Sequence, residues 1–173
     1  DILMVDKRVN ENISPSIAIA ISILSIIGSW LIYDFICKSK LINYKIIFPL
    51  VLLIIGAAIS YGLTTVYGPR FAFLQVGIIL ASAMSLNVFT LIAPNGRKIA
   101  QASLNKTKFD LDLSLKAKQR SVHNNIITLP VLIIMLSGHA PFIWAAKHAW
   151  LILVVLTAIL SLIQYYINLK NKK

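Results

Sequence analysis

Long apolar runs separated by short polar segments dominate the chain. Five stretches contain no Asp, Glu, Lys or Arg, and they cover residues 12–33, 46–69, 71–96, 121–146 and 148–169. A helix needs about 20 residues to cross a hydrocarbon core about 30 Å thick, and each stretch supplies them. The pattern predicts five transmembrane helices, at about 15–35, 46–63, 71–91, 122–140 and 149–168.

Helices are favoured over strands because unpaired backbone groups in hydrocarbon cost several kcal/mol each, and these runs lack the alternation of barrel strands. Composition agrees, since 58% of the residues are hydrophobic and 13% are charged, against about a quarter charged in soluble domains. The predicted fold class is all-α, a polytopic membrane helical bundle forming a single transmembrane domain over 1–173. Because the sequence begins at Asp1 without Met, we expect it to be a piece of a larger membrane domain.

Local signals set the expected helix ends. Ser14 and Pro15 are suited to start the first helix as N-cap and first helical residue. The turn signal Pro94-Asn95-Gly96 predicts the end of the third helix. The polar segment 97–121 is expected to be either an interfacial segment or a solvated loop. The fourth helix is expected to begin near Val122 and to be kinked at Pro130.

Two further patterns are assigned to packing and anchoring. Small residues at four-residue spacing predict close helix contacts; they are Gly56 with Ser60, and Gly77 with Ala81 and Ser85. Trp30 and Tyr33 fall at the headgroup depth of the first helix, where such rings are typical interface anchors.

The basic residues predict an orientation. Alternate sides of the five helices hold thirteen and four Lys or Arg residues, so the positive-inside rule places the N-terminus outside and the C-terminus in the cytoplasm. These residues lie at helix ends rather than on a folded basic face, so the predicted partner is the lipid bilayer and not nucleic acid.

The candidate site lies on the fourth helix, because polar groups inside a membrane are costly and mark function. Ser121, Asn124, Asn125 and Thr128 are spaced at i, i+3, i+4 and i+7, which predicts one polar face beside His123. Either His123 is functional or it forms an ordinary interhelical hydrogen bond.

Other polar residues are more isolated. His139 lies sixteen residues after His123, about 24 Å along a helix axis, so the two imidazoles are not expected to share a metal. Asn87, Gln75 and Asp34 are further candidates. The lone Cys37 leaves no CxxCH motif for covalent haem and no Cys/His pair at zinc spacing.

Several stretches resemble one bacterial family. The string AKQRSVHNNIITLPVLIIMLSGHAPF, at 117–142, is similar to the membrane part of bacterial cytochrome c-linked urate hydroxylases, the urate oxidase N-terminal domain family. WLIYDFICKS at 30–39, RFAFLQVG at 70–77 and NVFTLIAPNGRKI at 87–99 resemble it in the same order. The positions that match are Arg70, Asn87, Arg120, His123, Asn124, Asn125 and His139.

The resemblance implies oxidation of urate to 5-hydroxyisourate at the bacterial inner membrane, with electrons passed to a c-type haem on a fused domain or a partner cytochrome. It also implies that tryptophan- and histidine-rich helices precede this part of the protein. If urate is the substrate, Arg120 is expected to pair with its anionic oxygens and His123 to act as base. His139, on the outer side, is the candidate electron relay. The predicted catalytic residues are therefore Arg120, His123 and His139, together with Asn87, Asn124 and Asn125.

Two other classes of function fit the same pattern. In a transporter or permease, Asn87, His123 and the Pro130 kink would line a substrate path. In a non-catalytic anchor subunit, the helices would only hold a redox partner. A homo-oligomer is compatible with all three hypotheses.

Overall fold

The computed structural model describes residues 13–108 and 110–170. Its helices are α1 (Pro15–Lys38), α2 (Ile47–Val66), α3 (Pro69–Asn87), α4 (Ala93–Leu104), α5 (Leu111–Leu136), α6 (Pro141–Trp144) and α7 (Ala149–Lys170). Short 3₁₀ turns cover Lys40–Asn43 and Ser137–His139, and a π-helical turn, Val88–Ile92, joins α3 to α4.

The all-α prediction is confirmed for the described residues. Five continuous helical segments are long and apolar enough to cross a membrane. They cover Pro15–Lys38, Ile47–Val66, Pro69–Leu104, Leu111–His139 and Ala149–Lys170. The first begins as expected, because the Ser14 hydroxyl accepts a hydrogen bond from the Ile17 amide at 3.4 Å and Pro15 follows directly.

The third helix does not end at Pro94, contrary to the sequence prediction. The helical path continues from Pro69 to Leu104 over 36 residues, about 54 Å at 1.5 Å per residue. A proline is tolerated in the first turn of a helix, where its missing N–H has no partner to lose. Pro94 occupies that position in α4, directly after the π-helical turn, so the turn signal marks a change of helix type instead of a break.

The fourth helix also begins earlier than Val122, the predicted start. Its first residue is Leu111, and the Asp110 carboxylate caps it by accepting the Asp112 amide at 2.9 Å. The polar segment is therefore mostly helical instead of a solvated loop, and its interfacial location stays a prediction. α4 and the start of α5 form a helical hairpin, in which the Asn95 side chain donates to the Leu113 carbonyl at 3.3 Å.

Helix α3 lies at the centre of the bundle and packs against α1, α2, α5 and α7. Gly77 permits the approach to α5, because an added Cβ would lie 2.7 Å from Met135 Sδ and 3.1 Å from Ile134 Cγ2. The small-residue prediction is confirmed at Gly77. It is wrong at Gly56 as far as the described part of the chain goes, because a Cβ there would meet none of its atoms within 4 Å.

One end of the bundle is closed by Tyr67, which is fully buried. Its hydroxyl donates to the Ala18 carbonyl of α1 at 2.7 Å. Burial raises the pKa of this phenol. The opposite end of the bundle holds most of the buried polar side chains.

Candidate functional site

Six side chains from three helices meet at that second end, and we call them the polar cluster: Tyr33 and Asp34 of α1, Asn87 of α3, and Arg120, His123 and Asn124 of α5. Tyr33 and Asp34 lie near the end of α1, and Asn87 is the last residue of α3. Arg120 lies within α5 because that helix starts eleven residues earlier than the sequence predicts, whereas His123 and Asn124 also lie within the predicted helix. The C-terminal ends of α1 and α3 therefore meet the middle of α5 at the cluster.

A buried ion pair fixes the arginine. Arg120 Nη2 lies 2.6 Å from Asp34 Oδ1, and the residues are 3% and 8% exposed. The second carboxylate oxygen of Asp34 contacts Lys38 Nζ at 2.5 Å, and the Lys38 side chain is largely exposed. Because a buried charge is tolerated only when paired, Asp34 sets the position of the guanidinium.

Tyr33 lies at the centre of the polar cluster. Its hydroxyl is 2.9 Å from His123 Nδ1 and accepts a hydrogen bond from Asn87 Nδ2 at 3.3 Å. The Arg120 guanidinium carbon lies 4.8 Å from the centre of its ring, within range of a cation–π interaction. One side chain thus contacts three of the predicted site residues.

The imidazole of His123 is held between aromatic groups. Its ring stacks on Phe48 of α2, with centroids 5.1 Å apart and planes at 27°. Cys37 Sγ is 4.0 Å from Nδ1. Phe48 and Cys37 therefore cover part of the histidine, and Tyr33 is its hydrogen-bonding partner.

The two asparagines connect α3 to α5. Asn87 Nδ2 donates to Asn124 Oδ1, and Asn124 Nδ2 donates to the Met84 carbonyl, each at 2.9 Å. Both residues are buried. This arrangement satisfies both polar atoms of Asn124 but only the nitrogen of Asn87.

Among the residues that the structure describes, three buried polar atoms at this end have no hydrogen-bonding partner. They are Asn87 Oδ1, Arg120 Nη1 and, one helical turn before Tyr33, Trp30 Nε1. Leaving such a group unpaired costs about 1–3 kcal/mol. Two donors and one acceptor at this end are therefore left unpaired among the described residues.

The structure divides the predicted polar face of the fourth helix. Asn124 faces α3, whereas Asn125 is exposed and accepts hydrogen bonds from Asn168 at 2.6 Å and Gln164 at 3.2 Å, both on α7. Adjacent residues point about 100° apart on a helix. Asn125 thus lies outside the polar cluster.

His139 lies apart as well. It is exposed in the 3₁₀ turn after α5, beside Gly138, whose added Cβ would lie 3.2 Å from Leu74 near the start of α3. The start of α3 is the end of the bundle opposite the polar cluster. Gln75 lies inside the bundle, where Ser22 and Ser25 of α1 satisfy its amide.

Sequence reasoning missed three contributors to the site. Tyr33 was assigned as an interface anchor, Cys37 was considered only for its redox chemistry, and Phe48 was not singled out. One signal was available: Trp30, Tyr33, Asp34 and Cys37 are spaced at i, i+3, i+4 and i+7, which places them on one face of α1.

The donor set does not fit a resident metal or covalent haem. Among the described residues, no group of three or more His, Cys, Asp or Glu is arranged to hold a metal ion. The chain has one cysteine, Cys37, which is buried, whereas covalent attachment of haem uses a CxxCH pair. The polar cluster itself contains hydrogen-bond donors and acceptors, one buried ion pair and one imidazole.

Comparison with known proteins supports one family. No curated protein and no solved structure matches the chain. The model of one protein family, described as urate oxidase N-terminal, matches residues 1–173. The match covers the whole sequence, including every residue of the polar cluster. The chain therefore belongs to the urate oxidase N-terminal family.

Proposed function

We propose that this chain is the membrane part of a urate-oxidising hydroxylase, and that urate binds at the polar cluster. Membership of the urate oxidase N-terminal family supports the substrate. The five long apolar helices support a location in the bilayer. The excess of basic residues at the cluster end supports a cytoplasmic face for that end, in a bacterial inner membrane.

The proposal rests on two buried polar atoms that have no hydrogen-bonding partner among the described residues and that lie close to the same side chain. Arg120 Nη1 and Asn87 Oδ1 are both buried without a partner, on residues that both contact Tyr33. Urate is a planar anion that presents carbonyl oxygens and ring N–H groups. An arginine N–H donates to the first kind of group and an asparagine oxygen accepts from the second, so the free atoms match the edge of this ring.

The charges of the cluster also suit an anion. The charges of Asp34 and Arg120 cancel, and the ammonium group of Lys38 adds one positive charge beside them. Arg120 is already held by Asp34, so it would reach the substrate without first losing side-chain freedom. Binding urate would then give the free N–H of Arg120 a charged acceptor.

This chain is proposed to bind urate and to remove a proton from it. Conversion of urate to 5-hydroxyisourate adds the oxygen of a water molecule and releases two electrons and two protons. His123 is the proposed base. The electrons are proposed to pass to a c-type haem on another domain or partner, whose redox chemistry this chain does not supply.

Equilibrium binding of labelled urate to the solubilised full-length protein tests this assignment. Arg120→Gln is expected to weaken binding by about tenfold or more, because a hydrogen bond to a charged group contributes about 1.5–3 kcal/mol. Lys118→Gln removes a charge from an exposed position of the same helix and is the matched control. Unchanged affinity in Arg120→Gln would rule out this role for the residue.

A further inference from the structure

The hydrogen bonds around Tyr33 define which proton positions a relay would use. Asn87 Nδ2 is an amide nitrogen, which can only donate, so the Tyr33 oxygen accepts this bond. The Tyr33 oxygen also lies 2.9 Å from His123 Nδ1, and which of these two atoms donates depends on the tautomer of the imidazole. A relay requires the tautomer that carries its hydrogen on Nε2, in which Nδ1 accepts the Tyr33 hydroxyl hydrogen.

This tautomer prevents His123 from acting alone as the base. A neutral imidazole has one acceptor nitrogen, and here that nitrogen is occupied by the Tyr33 hydroxyl. The ring is also enclosed by Phe48 and Cys37. A proton from a ligand reaches His123 through the Tyr33 oxygen.

We infer that Tyr33 and His123 form a proton relay, in which the Tyr33 oxygen is the group that touches the substrate. The inference rests on the proposed function and deepens it. Tyr33 contacts both Arg120 and Asn87, the two residues whose free atoms are available to urate. Its oxygen therefore lies beside the proposed substrate position, and His123 lies behind it.

The transfer balances without a further reactant. A substrate N–H proton moves to the Tyr33 oxygen while the Tyr33 proton moves to His123 Nδ1, and the electron pair of the broken N–H bond stays on the substrate. The product of the step is a more negative substrate, a neutral tyrosine and an imidazolium. Oxidation by the external acceptor follows as a separate step.

Neighbouring groups act on these charges in both directions: the Arg120 guanidinium opposes a positive charge on His123, whereas two contacts favour the transfer. The Arg120 guanidinium over the Tyr33 ring stabilises negative charge as it develops on the phenol oxygen. The face of Phe48, stacked on His123, stabilises an imidazolium by a cation–π interaction. Asp34, Arg120 and Cys37 are the other titratable groups facing the pair, so a pH profile alone would not isolate the relay.

The relay is better isolated by the kinetics of urate oxidation. These are measured in membranes that contain the full-length protein and are supplied with c-type cytochrome. Tyr33→Phe removes one oxygen and is expected to lower kcat by about 10²–10⁴-fold, the usual contribution of general acid–base catalysis. Because the two residues act as one unit, the double variant Tyr33→Phe/His123→Ala should be no slower than the slower single variant. The solvent deuterium isotope effect on kcat should disappear in Tyr33→Phe.

Two variants separate the relay from structural damage. His123→Gln offers an amide oxygen to the Tyr33 hydroxyl but accepts no proton, so it should bind urate and fail to turn over. Tyr67→Phe deletes another buried tyrosine hydroxyl, at the opposite end of the bundle, and should retain the wild-type kcat and isotope effect.

The outcomes distinguish the relay from the proposed function. Urate oxidation by the wild type, together with an unchanged kcat in Tyr33→Phe, overturns the relay alone. An unchanged kcat in His123→Gln overturns the relay and also the assignment of His123 as base. Multiplicative losses in the double variant also overturn it, because they show two independent roles. Failure of wild-type membranes to oxidise urate overturns the proposed function and the relay with it.

Discussion

Asp34 and Arg120 are stable in the interior because each neutralises the other. The pair is separated by 86 residues in the sequence and joins α1 to α5 through side chains at 2.6 Å. Periodicity predicted that Arg120, His123 and Asn124 lie near one another, since they share a helix. It did not predict the Asp34 partner or the central position of Tyr33, because contacts between helices depend on their relative rotation.

Asp34→Asn is expected to lower the free energy of unfolding by about 3–5 kcal/mol, because it leaves the buried Arg120 charge without a partner. Thermal unfolding of the solubilised protein measures the effect. The matched control is Asp112→Asn, which breaks an exposed pair with Lys116 worth about 0.3–0.5 kcal/mol. Equal losses in the two variants would contradict a structural role for the buried pair.

At the scale of helices, charge-free runs predicted the five spans because the hydrocarbon thickness sets their length. The errors lie where helices continue through polar sequence. Pro94 follows a π-helical turn, and Asp110 caps a helix whose first turns are charged. Hydropathy carries no signal there, because a helix outside hydrocarbon does not need apolar residues.

Gly77→Val is expected to destabilise the bundle by about 1–3 kcal/mol, the usual cost of overpacking. The new side chain would force Met135 and Ile134 away from α3. Gly28→Val is the control, since a Cβ on Gly28 meets nothing within 4 Å and the change in helix propensity is the same. Thermal unfolding should separate the two variants, and equal stabilities would mean that α3 and α5 do not approach closely at Gly77.

At the scale of the whole molecule, the polar cluster and the α4–α5 hairpin lie at the same end of the bundle. Most of the basic residues belong to this end, including Arg97, Lys98, Lys116 and Lys118. The polar side chains at its centre are therefore proposed to open towards the cytoplasm. His139, exposed at the other end, is too distant to contact the cluster directly.

Cysteine labelling in intact cells tests the orientation. In a Cys37→Ala background, which removes the one cysteine of this sequence, Lys147→Cys should react with a membrane-impermeant maleimide added outside. Lys108→Cys in the hairpin should react only after the membrane is permeabilised. The reverse pattern would overturn the assignment of the N-terminus to the outside.

Urate consumption by membranes containing the full-length protein or its His123→Ala variant is the most direct test that the polar cluster is a urate site. We predict that wild-type membranes supplied with c-type cytochrome consume urate and that His123→Ala abolishes this consumption. The control His148→Ala, which alters an exposed histidine, should still consume urate. Wild-type membranes that never consume urate, or a His123→Ala variant as active as the wild type, would contradict this prediction.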